Sequence, residues 1–146
     1  MKIFTIGFTQ KSAKTFFETL SSNGINLLID IRLNNKSQLA GFSKGEDLQY
    51  FLPTICNCEY VYCPEFAPDK ETLDLYKGKK IKWPEYETRY SKLIDERGAI
   101  KQFSKRFNKY DNIVLLCSEP TPEKCHRRLF ADMIKTELKE VEITHL

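Results

Sequence analysis

The opening of the chain constrains its fold more than any other feature. Residues 2–6, Lys-Ile-Phe-Thr-Ile, suit a short buried strand stopped by Gly7. Ser12 can cap a helix, and Ala13, Phe16, Phe17 and Leu20 then follow at i, i+3, i+4 and i+7, one helical face. Asn23-Gly24 closes that helix, since both residues tolerate the left-handed conformation of a helix end. Residues 25–31 are apolar on both strand faces until Asp30. Strand, helix and strand within about thirty residues make a βαβ unit. Such a unit commits the chain to parallel pairing and a right-handed crossover.

The same alternation continues. Residues 34–45 are polar and glycine-bearing, which predicts a loop, and 47–55 a short helix. A strand is predicted at 60–62 and a helix at 69–76, followed by a basic connector at 77–82. Pro84 suits a first helical position, with Tyr86, Tyr90, Leu93 and Ile94 as the buried stripe. Gly98 breaks or ends that helix, and Ile100, Phe103 and Phe107 mark another. A strand at 113–117 leads to a helix opened by Thr121-Pro122, with Leu129, Phe130, Met133 and Ile134 inward, and a last strand at 141–145. The expected fold is α/β: a three-layer Rossmann-like sandwich around a mainly parallel sheet of about five strands.

A length of 146 residues suits one domain spanning 1–146. With 41% apolar and 29% charged residues, collagenous, coiled-coil and wholly disordered classes are excluded. Apolar runs such as residues 26–29 fall far short of the ~20 residues of a membrane helix, so no membrane association is expected. Five cysteines, an odd number, with no signal-peptide pattern, favour free thiols and a cytoplasmic setting.

In parallel α/β sheets, ligands sit beyond the carboxyl ends of the strands. The residues expected there include Gly7, Thr9, Asp30, Arg32, Cys117, Glu119 and His145. The densest group runs from Leu115 to Arg128. A helix N-terminus carries free N–H groups and about half a positive charge, so it attracts anions. Cys125, His126 and Arg127 are expected in its first two turns, where Arg127 can grip a phosphate or carboxylate through two parallel hydrogen bonds. The alternative is structural: Arg127 paired with Glu123 one turn earlier, and Cys125 filling the core. Asp30 and Arg32 fall on one side of their strand with Ile31 opposite. They are either functional or structural, for example with Asp30 paired to a backbone nest or to Arg127 so as to anchor the next loop.

Other features carry less. Cys56, Cys58 and Cys63 lack a usual zinc spacing and read as buried thiols. Cys117, Cys125, His126 and His145 have ligand types that fit zinc in a spacing that matches no common motif, and no metal is assigned. Residues 76–83, with four lysines and Trp83, suggest either a nucleic-acid contact or a solvated loop with Trp83 stapled to the next helix. A net charge of +3 is low for a nucleic-acid binder.

Several of these segments together resemble the DUF488 family of small bacterial and archaeal proteins. The similar stretches are Thr5-Ile6-Gly7-Phe8-Thr9, Leu28-Ile29-Asp30-Ile31-Arg32, Ser37 with Gly41-Phe42, residues 48–52, Glu59-Tyr60-Val61, Pro64-Glu65, and Leu115-Leu116-Cys117-Ser118-Glu119 through Cys125-His126-Arg127. The resemblance implies a Rossmann-like domain inside the cell, with Asp30, Arg32, Cys117, Glu119, Cys125, His126 and Arg127 as a shared polar cluster. It supplies no reaction. Phe8 stands where many relatives have His, so a proton-transfer role there has no bearer in this chain, and Asn34-Asn35 replaces a proline-containing turn.

The functional expectation is a pocket for a phosphate-bearing or otherwise anionic small molecule, such as a nucleotide. Arg32, Arg127, Gly7, Thr9 and His145 would hold it. Asp30 or Glu119 would act as general base or acid, His126 as a proton carrier, and Cys117 or Cys125 as a nucleophile. The rival is a non-catalytic module for nucleic acid or protein, with the polar cluster as a structural network. The sequence names neither a cofactor nor an oligomeric state.

Overall fold

The computed structural model describes residues 1–37 and 40–146; part of the predicted 34–45 loop, residues 38 and 39, lies outside them. Five strands form one sheet: β1 (Lys2–Gly7), β2 (Leu27–Asp30), β3 (Glu59–Tyr62), β4 (Asn112–Cys117) and β5 (Glu142–His145). Every pairing is parallel and the spatial order is β3-β2-β4-β1-β5. The sheet is thus all-parallel rather than mainly so.

Six α-helices flank it: α1 (Ala13–Ser22), α2 (Gly45–Phe51), α3 (Lys70–Lys77), α4 (Trp83–Arg97), α5 (Ala99–Phe107) and α6 (His126–Leu138). Period-2 alternation along the strands divides the core in two. Phe4, Ile6, Leu28, Val114 and Leu116 meet Phe16, Phe17 and Leu20 of α1 and Leu48 of α2. Ile3, Leu27, Ile29, Ile113 and Leu115 meet Tyr86, Tyr90 and Ile94 of α4, Phe103 of α5, and Phe130 and Ile134 of α6.

Local signals set the element ends. The Ser12 and Asp69 side chains accept from the backbone N–H of Thr15 and Thr72, capping α1 and α3. Gly98 (φ +61°) takes the left-handed conformation that lets α4 end and α5 begin. The helix expected at 47–55 divides into α2 and a π-helical turn, Leu52–Cys56. Pro53 lacks the N–H that would continue α-type bonding, and the Asn57 N–H reaches back to the Leu52 carbonyl instead. Ala13 is exposed although it continues the apolar stripe of α1.

One departure bears on function. The last helix starts at His126, with Cys125 as its extended N-cap, and not at Thr121-Pro122. Residues 118–125 form a loop: Thr121-Pro122 opens only a turn at 123–124, which the extended backbone of Cys125 (φ −140°, ψ 138°) ends before α6 begins.

The topology fixes where that loop lies. β1 and β2 both send the chain to the α1/α2 face, whereas β4, between them, sends it to α6 on the other face. Connections diverge at the carboxyl end of β4, which makes this the switch point where a doubly wound sheet opens a crevice. Among the described residues, no helix is long and apolar enough to cross a membrane.

Candidate functional site at the end of strand β4

Three side chains converge at the switch point. Cys117 ends β4, and Cys125 and His126 begin α6. All three are buried, and their two sulfurs and one ring nitrogen lie within 4.8 Å of one another. The His126 Nε2 lies 2.8 Å from the Ile31 carbonyl oxygen. A carbonyl only accepts, so Nε2 carries a proton and donates it there. Nδ1 therefore faces Cys117 Sγ, 3.6 Å away.

The surroundings favour charge separation in this pair. The Cys125 S–H donated to Cys117, with charge and hydrogen bonding from His126, holds the Cys117 thiol well below its ordinary range, against the opposing effect of burial. Burial alone would keep His126 neutral, yet the neighbouring Cys117 raises its pKa. Cys125, as donor to Cys117 and buried, is pushed up and stays a thiol. Tyr90 of α4 closes the far side: its ring centroid is 5.7 Å from that of His126, and its hydroxyl donates to the Phe66 carbonyl at 2.7 Å.

Arg127 points elsewhere. Its side chain is fully buried, and Nη1 donates to the Glu119 carbonyl, while Nε and Nη2 have no hydrogen-bond partner. Among the described residues no carboxylate lies within ion-pair distance of it; the expected partners Glu123 and Asp30 are not used. Lys11 sits nearby. Burial and then the charge of Arg127 lower the Lys11 pKa. Two cations thus lie near each other, and the exposed carboxylate of Glu123 interacts with Arg127 only from beyond ion-pair distance.

The loop is fastened to β1. A Cβ at Gly7 would stand 1.7 Å from the Glu119 carbonyl oxygen and 2.7 Å from Arg127 Nη1, so only glycine lets the loop lie this close. The Thr9 hydroxyl and backbone N–H both donate to the Ser118 carbonyl. Gly7 and Thr9 thereby hold the loop, and Glu119 offers its carbonyl inward while its side chain is exposed.

A second polar unit occupies the ends of β2 and β3. Arg32 Nε and Nη2 donate to the two Asp30 oxygens at 2.8 and 2.7 Å, and both residues are buried. Tyr60 of β3 donates to Asp30 at 2.7 Å, and Asn35 donates to Tyr60 at 3.1 Å. Arg32 also lies 5.2 Å from the Phe8 ring centroid, a cation–π contact. Its Nη1 has no partner. Asp30 is thus paired with its near neighbour Arg32 and not with Arg127, the side-chain partner expected from the sequence. His145 bonds to Thr5 through Nδ1 at 2.7 Å and is not part of the Cys117–Cys125–His126 group.

Tyr60, Tyr90 and Asn35 belong to this architecture although their sequence positions did not mark them. The inward stripe of α4 could have flagged Tyr90, since a buried tyrosine hydroxyl must find an acceptor. Tyr60 pairs with Asp30 only because β2 and β3 are neighbours in register.

Trp83 stacks on Tyr86 with centroids 5.0 Å apart, and packs on Tyr76. It is a staple between α3 and α4. Two surface cavities of about 410 and 770 Å³ lie elsewhere, one along α4, α5 and α6 and one beside α1. Cys117, Cys125 and His126 are buried, and none of them lines either cavity.

Residues 12–134 match the family model described as Domain of unknown function DUF488. The chain belongs to the DUF488 family. No curated protein and no solved structure matches it. The DUF488 match includes Asp30, Arg32, Cys117, Glu119, Cys125, His126 and Arg127, whereas Gly7, Thr9 and His145 fall outside it.

Proposed function

We propose that the β4–α6 junction binds a small phosphate-bearing molecule, of which a nucleotide is the first candidate, with Arg127 as its principal anchor. The observation that carries this is the fully buried guanidinium of Arg127, with Nε and Nη2 unpartnered and, among the described residues, no carboxylate within ion-pair distance. An unpaired buried charge is costly, and a bound anion would offset that cost with paired, charge-assisted hydrogen bonds. Lys11 adds positive charge, and Arg32, held by Asp30, offers its free Nη1. Access would come by displacement of the 118–125 loop. Should the bound molecule be turned over, His126 is the proton carrier and Cys117 the nucleophile; Asp30 is a positioning residue for Arg32. Five unpaired cysteines fit a reducing compartment such as the cytoplasm.

The test is a thermal-shift panel of inorganic phosphate, nucleotides, nicotinamide cofactors and short DNA and RNA oligomers. A ligand at 100 times its Kd adds about 2.7 kcal/mol, or about 6–10 °C for a domain of this size. We expect a nucleotide or phosphate response that Arg127→Lys abolishes, because a point charge lacks the planar fork. A response unchanged in Arg127→Lys, or confined to oligomers and steeply salt-dependent, overturns this assignment.

A further inference from the structure

We propose that Cys117, Cys125 and His126 form a binding site for a zinc-class divalent metal, with three protein ligands and one position left for solvent or another molecule. It does not depend on the Arg127 anchor, but it uses Cys117 and His126, so a bound metal would replace the proton-carrier and nucleophile roles given to them above.

Four observations converge. The donor set is right: two sulfurs and one imidazole nitrogen are the ligands that borderline-soft divalent ions select. The spacing is right as well. At Zn–S of about 2.3 Å and Zn–N of about 2.0–2.1 Å, a tetrahedral ion holds sulfur and nitrogen about 3.5 Å apart. Cys117 Sγ and His126 Nδ1 already stand 3.6 Å apart, and all three donor atoms lie within 4.8 Å of one another, so an ion could be seated by small side-chain rotations.

The imidazole is oriented for the task. Metal-bound histidines commonly donate their other ring N–H to a backbone carbonyl or a carboxylate, which fixes the tautomer that aims a lone pair at the ion. Here Nε2 donates to the Ile31 carbonyl, and Nδ1 is the nitrogen that faces the sulfurs. Finally, Cys117 is the last residue of a central strand and His126 the first residue of a helix packed on it, with Cys125 as that helix's extended N-cap.

Three protein ligands and one open position are the pattern of catalytic rather than structural zinc sites. His145 is bonded to Thr5 and is not within the group, so it does not supply a fourth ligand. Binding would release two protons to solvent, one from Cys125 and the one shared between Cys117 and His126, leaving two thiolates to neutralise the ion.

The experiment uses the full chain without a histidine tag, reduced with a thiol-free phosphine and freed of metal, then titrated with Co²⁺. We expect one equivalent to bind with thiolate-to-cobalt charge-transfer absorption and the visible bands of tetrahedral Co²⁺, and Zn²⁺ to displace it. Cys125→Ser and His126→Gln should each weaken Co²⁺ binding by more than about 100-fold, since even outer-shell changes cost 10–100-fold. Cys58→Ser, a buried cysteine outside the group, should leave it unchanged. Absence of charge-transfer absorption in the wild-type chain overturns the proposal. So does absorption that survives Cys125→Ser and His126→Gln, or that disappears with Cys58→Ser. Should the variants fail to fold, X-ray absorption of the wild-type Zn²⁺ form decides: two sulfur scatterers and at least one imidazole support the site, and any other count of sulfurs overturns it.

Discussion

Asp30 accepts hydrogen bonds through both carboxylate oxygens, from the Arg32 guanidinium and backbone and from the Tyr60 hydroxyl. Neither Asp30 nor Arg32 reaches solvent appreciably. Removing one member of such a pair strands the other as a buried charge, so Arg32→Ala should cost about 3–5 kcal/mol in urea unfolding. The paired replacement Asp30→Leu with Arg32→Met should recover most of that loss, because no uncompensated charge remains. An Arg32→Ala protein with wild-type stability would contradict the role of the pair. At Gly7 the limit is steric rather than electrostatic. Gly7→Ala would drive a Cβ into the Glu119 carbonyl and force the 118–125 loop outward. The expected penalty is about 1–3 kcal/mol, with amide shifts at residues 117–127 in NMR spectra that a remote alanine substitution would not give.

Helix ends proved the most legible elements, because their signals are local. Ser12, Asp69, Gly98 and Asn23-Gly24 each act within a turn of chain and are found where sequence rules put them. The start of α6 was misread for a reason that is also local. Thr121-Pro122 has the form of a cap followed by a first helical residue, yet the turn it opens at 123–124 is ended by the extended Cys125, and α6 starts only at His126. The resulting loop brings Cys125 and His126 back over Cys117, an approach that no spacing motif announces. Nor could the Tyr60–Asp30 bond be read, since it depends on which strand lies beside β2. Gly98, at φ +61°, gives the joint between α4 and α5 its own test. Gly98→Ala should cost about 1–2 kcal/mol in denaturant unfolding, the left-handed penalty for a residue with a Cβ.

Across the whole molecule, burial leaves a signature in alkaline stability. Burial, with smaller help from nearby negative groups, pushes the thiols of Cys58 and Cys63 up to about 12. A group with a raised folded pKa contributes stability that is complete below its unfolded value and disappears as pH rises through the folded one. The melting temperature should therefore fall from about pH 9 to about pH 12, and Cys63→Ala should make that decline shallower. A decline with the same slope in the variant would remove Cys63 as a contributor. The alternation of strands and helices revealed the α/β class, but the strand order came only with the structure, because distant pairings decide it. That order has a consequence for the life of the chain. β1, the first of the five strands in chain order, is held between β4 and β5, the fourth and fifth. A growing polypeptide emerging from the ribosome therefore carries both edges of its first strand unsatisfied until residues 112–145 have appeared. Completion of the sheet, and with it the junction of β4 and α6, must wait until residues 112–145 have emerged. Until then the chain carries unpaired strand edges, the feature that makes partly folded species prone to aggregate.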